Sequence, residues 1–172
     1  MSLADCSSVE AMVSKVAKHA AAHPELSWLV GIGWDQSRWG RYPTKADLDG
    51  IRELEGRPCW LWRACWHIGV ANSAALERAG ISGATAVSGG IIDKDASGAP
   101  SGLLRERACD GMAKQLGEAN PKTRAAFLSE AVWQCAASGL TCVHTHEFGA
   151  GWSAAEAWDL YRTMQGANRA HS

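Results

Sequence analysis

Cys59-Trp-Leu-Trp-Arg-Ala-Cys-Trp-His-Ile-Gly-Val-Ala-Asn-Ser-Ala-Ala-Leu-Glu-Arg-Ala-Gly80 is the stretch that decides the fold class. Gly56-Arg57-Pro58 turns the chain into Cys59-Trp-Leu-Trp-Arg63, a bulky apolar run that reads as a strand, and its far end carries Ala64-Cys65-Trp66-His67. Asn72 then caps a helix over 73–79, which closes at Gly80, the residue type preferred in the left-handed conformation after a helix. Strand, loop and helix in this order belong to a protein of mixed α and β structure.

Upstream, Ser7 with Glu10 predicts a capping box, and Val9, Met12, Val13, Val16 and Ala20 recur at helical spacing until His23-Pro24 stops the helix. Trp28-Leu-Val-Gly-Ile-Gly33 reads as a buried strand that delivers Trp34-Asp35-Gln36 to a loop, and Thr44 with Asp47 starts a short helix through Leu54. Downstream, Gly89 to Asp95, a turn over 96–100 and Ser101 to Leu104 predict a β-hairpin. Helices are expected over 105–117, from Pro121 to Ser138-Gly139, and from about Ser153 to Met164, with Leu140 to His144 as a third buried strand. The tail 166–172 has no apolar pattern and is expected to be disordered, which leaves 1–165 as a single folded segment. Three or four strands are about half of what a closed parallel barrel needs.

Composition narrows the function classes. A net charge of −1 with 20% charged residues gives no polyanion-seeking surface, so no nucleic-acid partner is expected. No apolar run approaches the roughly 20 residues that span a bilayer, and 1–10 lacks the form of a signal peptide, so no membrane role and a cytoplasmic location are expected. The six cysteines include no CxxC pair and read mostly as buried free thiols. Nine tryptophans against two tyrosines and two phenylalanines suit bulky packing, and some can line a substrate cleft.

His144-Thr145-His146-Glu147 is the sharpest chemical signal, because alternate residues of a strand share a face and two imidazoles there can chelate one metal. Glu147 beside them is a candidate base or ligand, and the alternative for the histidines is hydrogen bonding near a strand end. His67 sits in a loop between strand and helix, where functional groups concentrate, although an imidazole satisfied by a backbone carbonyl fits equally. Arg63 can receive a carboxylate or pair with Asp35 or Glu147. Gly31-x-Gly33 lacks the third glycine of a dinucleotide site, and no G-x-S-x-G elbow surrounds Ser88.

Gly33-Trp34-Asp35-Gln36, Pro43-Thr44 with Leu48-Asp49, Arg57-Pro58, Arg63 followed by His67 and Asn72-Ser73-Ala74-Ala75-Leu76, Gly80-Ile81, Gly89-Gly90-Ile91, Gly98 with Gly102 and Leu104, and Ser138-Gly139-Leu140-Thr141 with Val143-His144 together resemble amidohydrolase family 3, the YtcJ-like metal-dependent hydrolases. The resemblance implies an internal segment of an α/β protein: a partial TIM barrel of the metallo-dependent hydrolase type with an inserted α+β subdomain that includes the hairpin. It implies hydrolysis of non-peptide, amide-type C–N bonds in a small-molecule substrate, by water activated on a divalent metal, zinc being the expectation. It implies Arg63 and His67 as positions facing the substrate cavity, beside which Trp34 and Asp35 are candidate substrate contacts; His144 and His146 as metal ligands and Glu147 as the catalytic carboxylate are expected from the strand pattern, and the resemblance leaves open whether His144 or Glu147 approaches the metal. The family's first-strand HxH pair and its later ligands have no counterpart here, so the chain is expected not to be catalytic alone. The alternative is a non-catalytic fragment that dimerises or binds a full-length relative.

Overall fold

A computed structural model of the chain describes residues 1–117, 121–145 and 153–169. The chain divides into two compact units, Met1–Gly117 and Glu118–Ser172. The first begins with helix α1 (Val9–Ala22), whose Ser8 hydroxyl accepts the N–H of Ala11 at 3.1 Å, so Ser8 and not Ser7 is the cap. Val9, Met12, Val16 and Ala20 form its buried stripe, matching the apolar spacing.

Strand β1 (Leu29–Trp34) follows, then helix α2 (Lys45–Asp49), which Asp47 anchors by accepting the Thr44 N–H at 2.7 Å. Strands β2 (Cys59–Arg63) and β3 (Ile68–Ala71), helix α3 (Ser73–Arg78), the hairpin of β4 (Gly90–Lys94) with β5 (Pro100–Glu106), and helix α4 (Asp110–Leu116) complete the unit. The sheet order is β1-β2-β3-β5-β4. Only β1 and β2 run parallel; β2–β3, β3–β5 and β4–β5 are antiparallel. Connection length explains the difference. Residues 35–58 are long enough for a crossover through α2, whereas residues 64–67 can only return β3 beside β2 in the opposite sense.

Period-two alternation sends Leu61 to one face of the sheet and Trp60 to the other. Leu61 joins Met12, Val16, Leu29, Val70 and Leu103 under α1, while Trp60 joins Leu76, Leu104 and Met112 under α3 and α4. Both faces are therefore covered, in a three-layer α/β arrangement. Two helices make up the described part of the second unit, α5 (Pro121–Ala137) and α6 (Ala154–Arg169).

The hairpin and the first two strands stand where the sequence places them, but several expectations need correction. The described strands form a mixed, largely antiparallel five-stranded sheet. Residues 105–106 continue β5 because Arg105 and Glu106 pair with Ile91 and Gly90, so helix α4 starts only after a 3₁₀ turn over Arg107–Cys109. β3 was not expected, since four residues containing a glycine give little pattern. Residues 140–145 are exposed and carry no strand: a strand needs a hydrogen-bonded neighbour, and the described residues of the second unit contain none. Helix α6 is described as far as Arg169. Of the six cysteines only Cys59 and Cys109 are buried, and Cys142 is exposed.

Candidate functional site

The β2–β3 turn collects three of the four residues expected to face a substrate. Asp35 directly follows β1, Arg63 ends the neighbouring parallel strand β2, and His67 closes the turn that leads into β3. Parallel pairing brings the ends of β1 and β2 together, so the Arg63 Nη2 meets the Asp35 carboxylate at 2.8 Å while its Nε donates to Gln36 Oε1 at 2.7 Å. The Asp35 carboxylate also accepts the hydroxyl and N–H of Ser37, at 2.7 and 3.1 Å, and these bonds, then Arg63, hold its pKa below the ordinary value. Arg63 thus pairs with Asp35, one of the two partners expected for it; the other, Glu147, lies outside the described residues. The guanidinium is therefore engaged within the chain, which lowers its availability to an incoming carboxylate.

Trp34 stands apart. It is fully buried, and its indole N–H donates to the Leu61 carbonyl at 2.8 Å. Its ring packs against Trp39 and edge-on to Tyr42. The substrate-facing role expected for it is corrected by that burial, since it offers a ligand no surface.

His67 is exposed, and its Nδ1 lies 2.9 Å from Glu106 Oε2 across the β3–β5 pair. Two neighbours in the turn were not among the expected site residues. Trp66 adopts φ +63°, projects 59% exposed, and packs tilted against Trp62 at 5.6 Å between ring centroids, and Trp62 meets the buried Trp60 edge-on at 5.0 Å. Cys65 receives the N–H of His67 at 3.5 Å. Burial opposes ionisation of the Cys65 thiol, but the Arg63 guanidinium and the N–H groups of His67 and Ile68 outweigh it, so its pKa lies below the ordinary value. Nothing in the sequence pattern announced Glu106, because its partner lies across the β3–β5 pairing, whose register the residues alone do not state.

The metal-ligand expectation falls mostly outside the described residues: His146 and Glu147 are not among them, and His144 is exposed on an irregular segment. Among the described residues no group of three or more His, Cys, Asp or Glu side chains could hold a metal. A catalytic zinc takes three protein ligands. The described part of the chain thus supplies one candidate donor and does not by itself fit the ion. No helix among the described residues is long and apolar enough to cross a membrane.

Polar side chains gathered in loops where strands end are where binding residues concentrate. The chain's fold is similar to an uncharacterized metal-dependent hydrolase of Pyrococcus furiosus, with a TM-score of 0.53 and 28% identity, covering 81% of this chain and 26% of that one. A second hydrolase structure, from Pyrococcus horikoshii, shares the fold at TM-score 0.53 and 22% identity, covering 81% of this chain and 25% of that one. The sequence makes the assignment narrower. The chain belongs to the amidohydrolase family, whose pattern it matches over residues 1–172. It is 39% identical over 127 residues to YtcJ of Bacillus subtilis, named as an amidohydrolase, covering 72% of this chain and 24% of the relative. It is 35% identical over 114 residues to the N-substituted formamide deformylase of Arthrobacter pascens, covering 62% of this chain and 21% of the relative. The chain thus spans about a quarter of the length of the curated relatives it matches.

Proposed function

We propose that this chain is a segment of a metal-dependent amidohydrolase that cleaves amide-type, non-peptide C–N bonds, and that it is not catalytic by itself. The family match over residues 1–172 carries this reading, and similarity to a deformylase of N-substituted formamides supports a small N-substituted amide as the substrate class. A divalent ion, zinc by the chemistry of imidazole and carboxylate donors, would activate water for attack on the carbonyl. His144, His146 and Glu147 are the proposed contributors from this chain, and the remaining ligands would come from outside it. Residues of the β2–β3 turn then have the task of orienting the amide. His67 presents an exposed imidazole, Trp66 an exposed apolar ring for the N-substituent, and Arg63 with Asp35 fixes the shape of the turn. The assignment of cytoplasmic location goes with this reading and rests on composition alone.

Metal content and turnover test it together. Purified chain, dialysed against zinc and then metal-free buffer, is expected to retain less than one ion per chain and to release no formate from an N-alkyl formamide. One equivalent of zinc, lost in His144→Ala, together with formate release would overturn the claim that the chain is inactive alone while keeping the family chemistry.

The second reading is a non-catalytic module that dimerises or binds a full-length relative. It is favoured by the exposed Phe127, Val132, Trp133 and Trp158 of the second unit, more large apolar side chains than scattered surface residues require. Size-exclusion chromatography with light scattering decides it, since a monomer at all loadings defeats the dimer.

A further inference from the structure

Glu106 occupies a backbone conformation that glycine would fill more easily, with φ +52° and ψ −130°. A side chain kept at such a position calls for a reason outside backbone geometry. The reason on view is His67. The Glu106 N–H donates to the His67 carbonyl at 2.7 Å, and its carboxylate reaches back to the same residue's Nδ1 at 2.9 Å. The left-handed bend is what lets one residue bind both the main chain and the ring of its neighbour. The rest of His67 is held as well: its N–H points to Cys65 Sγ at 3.5 Å, and the Cys109 thiol approaches its carbonyl at 3.7 Å.

We propose that Glu106 is a positioning residue for His67: it fixes the neutral imidazole as the Nδ1–H tautomer and leaves Nε2 bare. A carboxylate accepts and cannot donate, so the ring nitrogen facing it must carry the proton. In free neutral histidine the proton favours Nε2, so the contact reverses the intrinsic preference. The consequence is chemical. On a side chain that is more than half exposed, a bare Nε2 accepts a hydrogen bond from an N–H or O–H group and is ready to take a proton; in the opposite tautomer that atom would only donate. This deepens the proposed function, resting on the reading of His67 as a residue that meets substrate, and names the substrate group it meets: the N–H of an N-substituted amide, or the attacking water.

The tautomer is read directly from the ¹⁵N shifts of histidine-labelled full-length chain at about pH 8, where an ordinary imidazole is neutral. His67→Asn identifies the signals. The wild type is expected to show a protonated Nδ1 and an unprotonated Nε2. Glu106→Gly removes the carboxylate and suits the backbone, so that variant is expected to unfold at a higher urea concentration while its tautomer ratio inverts toward Nε2–H. Stability and tautomer thus move in opposite senses, which a merely structural glutamate would not produce. Protonated Nε2 in the wild type, or an unchanged ratio in folded Glu106→Gly, overturns the proposal. Because neither metal nor turnover enters this readout, failure of the hydrolase reading would appear separately, in the metal and formate measurements.

Discussion

Gly69 lies under the face of Trp60, and a Cβ built there would come within 2.2 and 2.3 Å of ring carbons. Trp60 is fully buried and Gly69 pairs in both directions within the sheet, so neither ring nor backbone can withdraw without disturbing β2 or β5. Gly69→Ala is therefore expected to cost about 3 kcal/mol, at the upper end of ordinary overpacking, read as a fall in the urea midpoint at unchanged slope. The thiols differ in a way that alkylation can read. Burial pushes the thiol pKa of Cys59 and Cys109 up to about 12, whereas that of Cys65 lies below the ordinary thiol value through Arg63 and the turn N–H groups, against the opposing effect of partial burial. The thiolate is the form present above the pKa, so lowering that pKa moves the onset of reaction to lower pH. Iodoacetamide with mass mapping at about pH 8 is expected to label Cys65 and spare Cys59 and Cys109 in the folded chain. Arg63→Gln should shift the Cys65 profile toward higher pH. Equal labelling of Cys59 would show that β2 opens on the timescale of the reaction.

Helix and strand ends show how far local sequence carries and where it stops. Asn72 is legible as a helix cap from its residue type and the Ser-Ala-Ala-Leu that follows, and its Oδ1 does accept the Ala75 N–H at 2.9 Å. What the local pattern does not contain is the second task of the same oxygen, which accepts the Cys59 N–H at 2.9 Å, while Nδ2 donates to the Arg57 carbonyl at 2.9 Å. One buried amide thus ties α3 to the start of β2, and Asn72→Ala is expected to cost about 3 kcal/mol, beyond the ~1 kcal/mol of an ordinary cap, because it leaves buried backbone groups unpaired. Arg57 is similar. Its guanidinium donates to the carbonyls of Ala20, His23, Leu26, Glu53 and Leu54, closing the end of α1 and the turn after α2 together. Arg57→Lys retains the charge but cannot span five acceptors, so thermal unfolding should show nearly the loss of Arg57→Ala. The same limit explains the site. The gathering of Arg63, Asp35 and His67 at strand ends and in the loops that follow was legible, because each follows or closes an apolar run with a polar side chain. Glu106 needed the β3–β5 register, Trp66 needed its φ, and burial of Trp34 needed the layer above it. The strand expected over 140–144 shows the converse: its apolar pattern is sound, but a strand exists only with a pairing partner.

At the scale of the whole chain, the buried apolar side chains are divided very unevenly. Among the described residues every buried apolar side chain except Ala157 lies in residues 1–117, and these form two clusters that cover both faces of the sheet. A domain of that length with both faces covered has what it needs to fold alone. Within the second unit, helix α5 exposes Phe127 and Trp133 at 66% and 67%, and α6 exposes Trp158 at 63%. Helices are held in proteins mainly by burying an apolar face, and intrinsic propensity leaves isolated helices of this length marginal. Residues 1–117 expressed alone are accordingly expected to unfold cooperatively, with a thermal midpoint within about 4 °C of the full chain, a shift worth about 1 kcal/mol for a domain of this size. Residues 118–172 alone should show weak helical signal that strengthens with concentration as apolar faces meet. A fall in midpoint well beyond that margin would mean that the second unit stabilises the first. The comparison also bears on function, because the shorter chain keeps Arg63, His67 and Glu106 but lacks His144, His146 and Glu147. If it folds and retains the His67 tautomer, the substrate-orienting turn is a property of the first unit, and any zinc retained by the full chain but not by this piece must be held through the second.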